Sequence, residues 1–304
     1  MAVEAEVENS VSLRREIARA RRRGWMQFLR RLARHRSFQV GFTLFFLIVL
    51  LAVFADVIAP YDPNKNDYRN LLMPPSMAHW FGTDGFGRDI LSRVIYGTRV
   101  SLGIGISVVV MTGVLGVFLG MLAGYVRWLD NALMRVMDGL MAFPSVLLAI
   151  ALAAALGPST MNAVIALTVT FTPRTARVVR SSVLVIRELP YVEAAMAVGA
   201  GHARIIFRYI LANALSPLIV QLTFVFAVSI LAEAILSFLG VGPPPPAPSL
   251  GNIIAEGRNY LQDASWIAFF PGIAIAAAVL GLNLMGDGLR DVTDPRLAAT
   301  RGAG

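Results

Sequence analysis

Six stretches of this chain are apolar enough and long enough to be read as crossings of a lipid bilayer, and that reading removes most folds from consideration. A helix needs about 20 apolar residues to cross a hydrocarbon layer of roughly 30 Å. Within that layer every backbone polar group has to be bonded inside the structure, so long apolar blocks of this kind predict helices. The first block is Phe38 to Ala59, the second Ser101 to Val126, and the third Gly139 to Leu156, which carries Pro144 and ends at Gly157 and Pro158. Met161 to Phe171 is a shorter fourth block, followed at once by Pro173, Arg174 and Arg177, and reads as a kinked helix running out of the membrane. Leu215 to Leu239 and Trp266 to Met285 are the fifth and sixth. The apolar share of the whole chain is 56%, above the roughly 45–50% of a soluble domain. One all-helical membrane domain is the simplest division, as no repeat of 20 to 50 residues is evident by eye.

The basic residues give the orientation. The net charge is +8, and ten arginines lie between Arg14 and Arg36, just before the first block. Such a cluster marks a membrane face held inside by anionic lipid rather than a nucleic-acid surface. Leu13, Ile17, Trp25, Phe28, Leu29 and Leu32 could give the same segment an apolar edge and make it an interfacial helix. Further arginines fall at 127 and 135, at 174, 177, 180, 187, 204 and 208, and at 290, 296 and 301. The turns after the third and fifth blocks carry none and only Arg258, respectively. The loop after the first block is the exception, with Lys65, Arg69, Arg88, Arg93 and Arg99, although Asp62, Asp67, Asp84 and Asp89 lie among them. Six spans with both termini cytoplasmic fit this pattern. The first block is too long for the core of a secretory leader and no A-x-A site follows, so it reads as a retained anchor.

Several chemistries find no support. There is no G-x-x-x-x-G-K-[ST] loop to cradle phosphates, and neither H-E-x-x-H nor G-x-S-x-G occurs. Cysteine is absent and the three histidines, His35, His79 and His202, lie far apart, which argues against a metal centre. An ion-coupled carrier should hold several ionisable groups within its spans. Here Glu233 is the main one, and it suits a pathway lining or an interhelix hydrogen bond better than a proton relay. Energy from an outside motor is then expected. Gly116, Gly120 and Gly124 form a small-xxx-small stripe, whose expected job is close helix packing.

Two polar loops carry the remaining signal. In the stretch YVEAAMAVGAGHARIIFRYILAN from Tyr191 to Asn213, the small Ala194 and Ala195 would let a short helix approach a partner closely. Gly199 would allow the chain to reverse into a second short helix, and Glu193 can cap or pair at the start. In the outer loop Thr83 and Asp84 are good N-caps, Gly85 and Gly87 allow a tight turn, and Arg88 to Tyr96 can form a short helix. Pro243 to Pro246 reads as a stiff spacer. The glycines at 286 and 288 read as a helix stop after the sixth block.

Four segments taken together resemble one family, the second, C-type permease subunits of bacterial ABC importers for dipeptides and oligopeptides. They are HWFGTDGFGRDILSRVIYGTRVSL from His79, EAAMAVGAGHARIIFRYILANALSPLIVQ from Glu193, EAILSFLGVGPPPPAPSLGN from Glu233, and NLMGDGLRDVTDPRL from Asn283. The resemblance implies an all-α membrane protein of six helices with the type I importer permease fold. Residues 1–37 would be a cytoplasmic basic segment, 38–286 the permease domain and 287–304 a cytoplasmic tail. An outer loop would span 60–100 and a coupling loop 174–213. It further implies that Glu193, Ala194, Ala195 and Gly199 couple to an ATPase subunit. Thr83, Asp84, Arg88 and Asp89 would lie near the partner permease and the docked binding protein, with Arg88 and Asp89 as candidates for interchain or intrachain pairing. The chain itself would be non-catalytic and bind no cofactor, with ATP and magnesium on the partners. Those partners would be a homologous permease, one or two ABC ATPase subunits and an extracytoplasmic solute-binding protein, with no nucleic acid. Closely similar permeases serve nickel chelates, glutathione, murein peptides, opines or sugars, so the resemblance leaves cargo open. One departure stands out: the family pattern reads Ile-Leu-Pro where this chain has Ile210, Leu211 and Ala212.

Overall fold

A computed structural model of the protein describes residues 26–293. The residues given as an amphipathic edge at 13, 17 and 25, the arginines up to Arg23, and Arg296 and Arg301 lie outside that range. Among the described residues the regular elements are helices. α1 covers residues 26–34, α2 Arg36–Val53 and the one-turn α3 Ala55–Ile58. α4 (Ile90–Tyr125) follows a long loop, then α5 (Arg127–Met141), α6 (Ser145–Leu156) and α7 (Thr160–Arg187). The short α8 (Pro190–Ala197) and α9 (His202–Arg204) lead through a π-helical turn, Ile205–Ile210, into α10 (Leu211–Phe238). α11 (Leu250–Gly257) and α12 (Trp266–Thr293) complete the order.

By length and composition four units among the described residues suffice to cross a membrane: Arg36–Val53, Ile90–Tyr125, His202–Phe238 and Trp266–Thr293. The pair α5–α6 would make a fifth if it is one broken span. The expected third block is therefore not one continuous helix. α5 and α6 meet at 90°, with Pro144 extended at φ −54°, ψ 126°. Proline pushes the residue before it out of the helical region and cannot donate to the turn behind it. Residues 141–145 are exposed, so nothing packed against them restores the helix.

The expected fourth helix is longer than its apolar block. α7 is continuous for 28 residues with the buried Pro173 inside it. Here packing accompanies an unbroken helical path. A Cβ at Gly116 would lie 2.6 Å from Thr175 Cγ2, one at Gly120 2.5 Å from the Ala176 carbonyl oxygen, and one at Gly124 2.7 Å from Val183 Cβ. The glycine stripe thus brings α4 and α7 to backbone distance along the stretch that follows Pro173.

Other glycines serve a second close seam. A Cβ at Gly41 on α2 would meet the Gly281 carbonyl at 2.6 Å, and one at Gly288 would meet Phe38 Cβ at 2.7 Å. This explains why α12 does not stop at 286–288 as expected but runs on to Thr293. The interior is aliphatic and divides into layers. One cluster joins Ile104 and Val108 of α4 to Ala149, Ala163, Leu167 and Leu236. Another joins Ile48 of α2 to Leu102, Ile230 and Leu282.

Candidate functional site

The segment that projects from one end of the bundle is α8 with the turn into α9. Leu189 leads in extended, and Pro190 occupies the first helical position, where its missing N–H costs nothing. The helix is closed by two bonds that make a Schellman motif: Ala200 N–H to the Ala195 carbonyl (3.0 Å) and Gly199 N–H to the Met196 carbonyl (2.9 Å). Gly199 sits at φ +82°, in the left-handed region, and a Cβ there would meet no atom within 4 Å. Glycine is required at 199 by backbone conformation, not by space. Beyond the turn the chain enters α9, whose helical path continues through the π turn into α10, so the second short helix is the root of a long one. The Leu211 N–H reaches back five residues to the Ile206 carbonyl, and the helix runs unbroken through Ala212 to the internal Pro217.

An apolar plug fixes the hairpin. Val192 is fully buried among Met121, Val179, Val183, Ile186, Ile205 and Ile210, so α4, α7, α8 and the π turn share one cluster. Polar ties surround it. Asn213 Nδ2 donates to the Tyr191 hydroxyl (3.1 Å) and to the Tyr209 carbonyl (2.6 Å). The Tyr125 hydroxyl and His202 Nδ1 lie 2.6 Å apart, and Arg187 Nη1 donates to the Gly124 carbonyl at 2.9 Å. Two further pairs brace α7 against α5: Arg180 grips Asp130 with two bonds of 2.5 and 2.7 Å, and Arg177 pairs with Asp138.

The four residues singled out in this loop separate. Glu193 and Ala194 are exposed, and the Glu193 carboxylate, in the first turn of α8, makes no hydrogen bond or ion pair among the described residues. Ala195 faces inward at 7% exposure, so its small size serves packing within the chain rather than approach to a partner. Gly199 lies exposed beside Val198, the outermost apolar residue of the tip at 85% exposure. Sequence reasoning missed Val192 and Val198, which fix and present the tip, and Asp130 and Asp138. The two aspartates were signalled only as acids within an otherwise basic segment.

At the opposite end of α4 the outer loop forms a cap closed by buried charge. Asp84 accepts Phe86 N–H (2.8 Å), Arg88 N–H (3.0 Å) and Arg88 Nε (2.7 Å), and it pairs with Arg93. Glu256 of α11 joins Arg88 Nη2 and Arg93 Nη1, each at 2.6 Å. Asp89, not Thr83 or Asp84, is the N-cap: its carboxylate accepts Ser92 N–H at 2.8 Å and meets His79 Nδ1 at 2.9 Å. The helix it starts is α4 itself, so the short separate helix expected over Arg88 to Tyr96 is the first turns of a 36-residue element. Thr83 Oγ1 donates to the Asn70 carbonyl (2.6 Å), and Trp266 Nε1 donates to the Thr83 carbonyl (3.1 Å). Thr83, Asp84, Arg88 and Asp89 are therefore buried and bonded within the chain, which is the intrachain one of the two pairings left open for Arg88 and Asp89. Asp67, at the edge of the cap, is held below the usual carboxylate range by the Arg69 N–H and the Asn70 amide. Arg93 and Glu256, 163 residues apart, were not singled out from the sequence, and no local pattern links them.

Glu233 is fully buried. Ser101 Oγ of α4 and Ser237 Oγ each donate to its carboxyl oxygens at 2.6 Å, which makes it an interhelix hydrogen-bond centre and not a pathway lining in this conformation.

The family described as "Binding-protein-dependent transport system inner membrane component" matches residues 116–299, and "N-terminal TM domain of oligopeptide transport permease C" matches residues 25–75. A putative peptide transport system permease protein of Brucella abortus is 56% identical over 268 residues, 88% of this chain and 90% of its own length. The dipeptide transport system permease protein DppC of Alkalihalophilus pseudofirmus is 43% identical over 274 residues, 90% of each. Among solved structures, an inward-facing form of the MetNI methionine ABC transporter aligns with a TM-score of 0.56 at 20% identity, covering 67% of this chain and 98% of that one.

Proposed function

This chain belongs to the family of binding-protein-dependent transport system inner membrane components, and from that premise we propose that it is one permease subunit, half of the pore, of an ATP-driven importer of di- and oligopeptides. Relatives named for peptide and dipeptide transport over nine-tenths of their length support that cargo class. A second permease encloses the pore with it, one or two ABC ATPase subunits bind ATP and magnesium, and a solute-binding protein delivers cargo. The α8 hairpin lies on the cytoplasmic side with both termini. The six-span reading is kept, with α7 as a sixth crossing whose inner half carries the arginines and α5–α6 as a broken one.

The observation that carries the coupling role is the contrast within the hairpin. Its inner face is locked into the bundle by Val192, while Glu193, Ala194, Val198 and Gly199 stand free. ATP closes the two ATPases, the hairpins move together, and α4, α7 and α10 tilt because they share the Val192 cluster. A ligand shifts such an equilibrium only by its differential affinity for the two states. Nucleotide and loaded binding protein supply that difference, and this chain transmits it.

The test is Gly199→Val in the assembled complex, where a β-branched residue at φ +82° distorts the tip. Uptake driven by ATP should be lost while the subunits stay together. Unchanged uptake from an intact complex would contradict the coupling role. Transport by the purified chain alone, in vesicles without any ATPase, would instead favour an ion-driven carrier.

A further inference from the structure

α7 carries four arginines at 174, 177, 180 and 187, and three of them are spoken for. Arg177 pairs with Asp138, Arg180 with Asp130, and Arg187 with the Gly124 carbonyl and Glu188. Arg174, one turn further into the bundle, has no hydrogen-bond or ionic partner among the described residues and is exposed. It lies 14 residues from Thr160 on a 28-residue helix, about 21 Å along at 1.5 Å per residue. A guanidinium at mid-helix in a membrane protein is costly unless it faces water or meets an anion.

Arg174 lines a cavity of about 360 Å³ between the α5–α6 break, α7 and α10. Its wall is mostly apolar, with Phe143, Phe171 and Phe224, and its polar groups include Ser145 and Gln221. The Gln221 side chain is half-buried and also without a partner among the described residues. Among the described residues no acidic one lines the cavity. The break at Pro144 borders this space, with Met141, Phe143 and Ser145 in its wall.

We propose that this cavity is a station for cargo bearing a carboxylate, in which the Arg174 fork pairs with the terminal carboxylate of a peptide, Gln221 supplies an amide donor, and the phenylalanines receive side chains. The inference rests on the permease reading and narrows it. Arginine recognises a carboxylate with two parallel bonds, and a largely apolar pocket with a few convergent polar groups fixes a ligand's orientation. Peptides and glutathione meet the requirement. Uncharged sugars do not.

The same pairing chemistry has a second possible source, an acidic side chain of the neighbouring permease, and the experiment separates the two. The complete complex, with its partner permease, ATPases and binding protein, is reconstituted in vesicles. ATP-driven uptake of trialanine and of trialanine amide is measured for the unsubstituted complex, Arg174→Gln and Arg174→Lys, each rate normalised to the occupancy of the binding protein. Loss of a charge-assisted pair predicts about a tenfold fall for trialanine with Arg174→Gln. Uptake of the amide should change less than about twofold, and the lysine variant should retain more trialanine uptake than the glutamine variant.

A second readout does not depend on transport. The chain has no cysteine, so Ser145→Cys introduces its single thiol, and maleimide labelling of the detergent-solubilised complex should be slowed by trialanine and not by its amide. That protection should vanish in Ser145→Cys with Arg174→Gln. Equal loss of uptake for acid and amide would assign Arg174 to the neighbouring subunit, and unchanged uptake with no selective protection would leave the cavity without this role. Either result overturns the proposal while leaving the importer standing. Absence of uptake of both peptides by the unsubstituted complex, with no protection of the thiol, would overturn the peptide-importer reading and the station together.

Discussion

The two ends of α4 are held by opposite physics. At its N-terminal end the cap joins Asp84, Arg88, Arg93 and Glu256 in one mostly buried charge cluster. At its C-terminal end the hairpin is held by aliphatic contacts around Val192, and its acid, Glu193, is left without a partner. Buried charge fixes geometry because a partly paired network is heavily penalised. An apolar plug holds without direction, so it can tilt with the helices it joins. The cap reads as a fixed frame and the hairpin as the part offered to another protein.

The largest expected effect lies in the cap. Asp84→Ala removes a carboxylate that holds two arginines and two N–H groups. Breaking a buried pair this way should cost about 3–5 kcal/mol, seen as a sharp fall in the thermal midpoint of the purified protein in detergent. A fall no larger than that of a surface substitution would mean the cap is not held by its charges. Next is Val192→Ala, which opens a cavity under the hairpin. Losing two methyl groups should cost about 1–2 kcal/mol, with uptake falling while binding-protein docking is kept. Loss of docking instead would place the two ends in one mechanical unit.

Smaller still is Gly199→Ala, for which a side chain at positive φ costs about 1–2 kcal/mol, borne locally. Amide exchange should quicken in α8 alone. Quickening in α4 and α7 would show the turn and the bundle to be one cooperative unit. Glu193→Gln should move stability by less than about 0.5 kcal/mol yet weaken the ATPase response to loaded binding protein. A large stability loss would mean the carboxylate is a structural group after all.

Much of this was legible in the sequence, and the misreadings have physical causes. The blocks beginning at Phe38, Ser101, Leu215 and Trp266 announced their helices because apolar length alone decides a crossing. Composition could not distinguish Pro144 from Pro173. Both lie near apolar or β-branched neighbours, and the difference is that α4 packs tightly against α7 while residues 141–145 face open space. The tail glycines resembled a helix stop because the sequence does not show Phe38 pressed against Gly288. In the hairpin, Gly199 was readable from its place after a short helix, whereas the inward anchor at Val192 depends on a cluster drawn from four other segments. The pairing of the cap residues could not be decided from the sequence, because the partner that draws Arg88 and Arg93 inward is Glu256 on a remote helix.

The most direct test of the central claim is chemical cross-linking from a single cysteine at Val198, the outermost apolar residue of the tip, in the assembled complex. A matching cysteine at Phe86, exposed at the opposite end of α4, serves as the comparison. If the hairpin is the ATPase's handle, the Val198→Cys protein should form an adduct with the ATPase subunit whose yield changes on adding ATP, and the Phe86→Cys protein should form none. An ATPase adduct from Phe86→Cys and none from Val198→Cys would contradict the account.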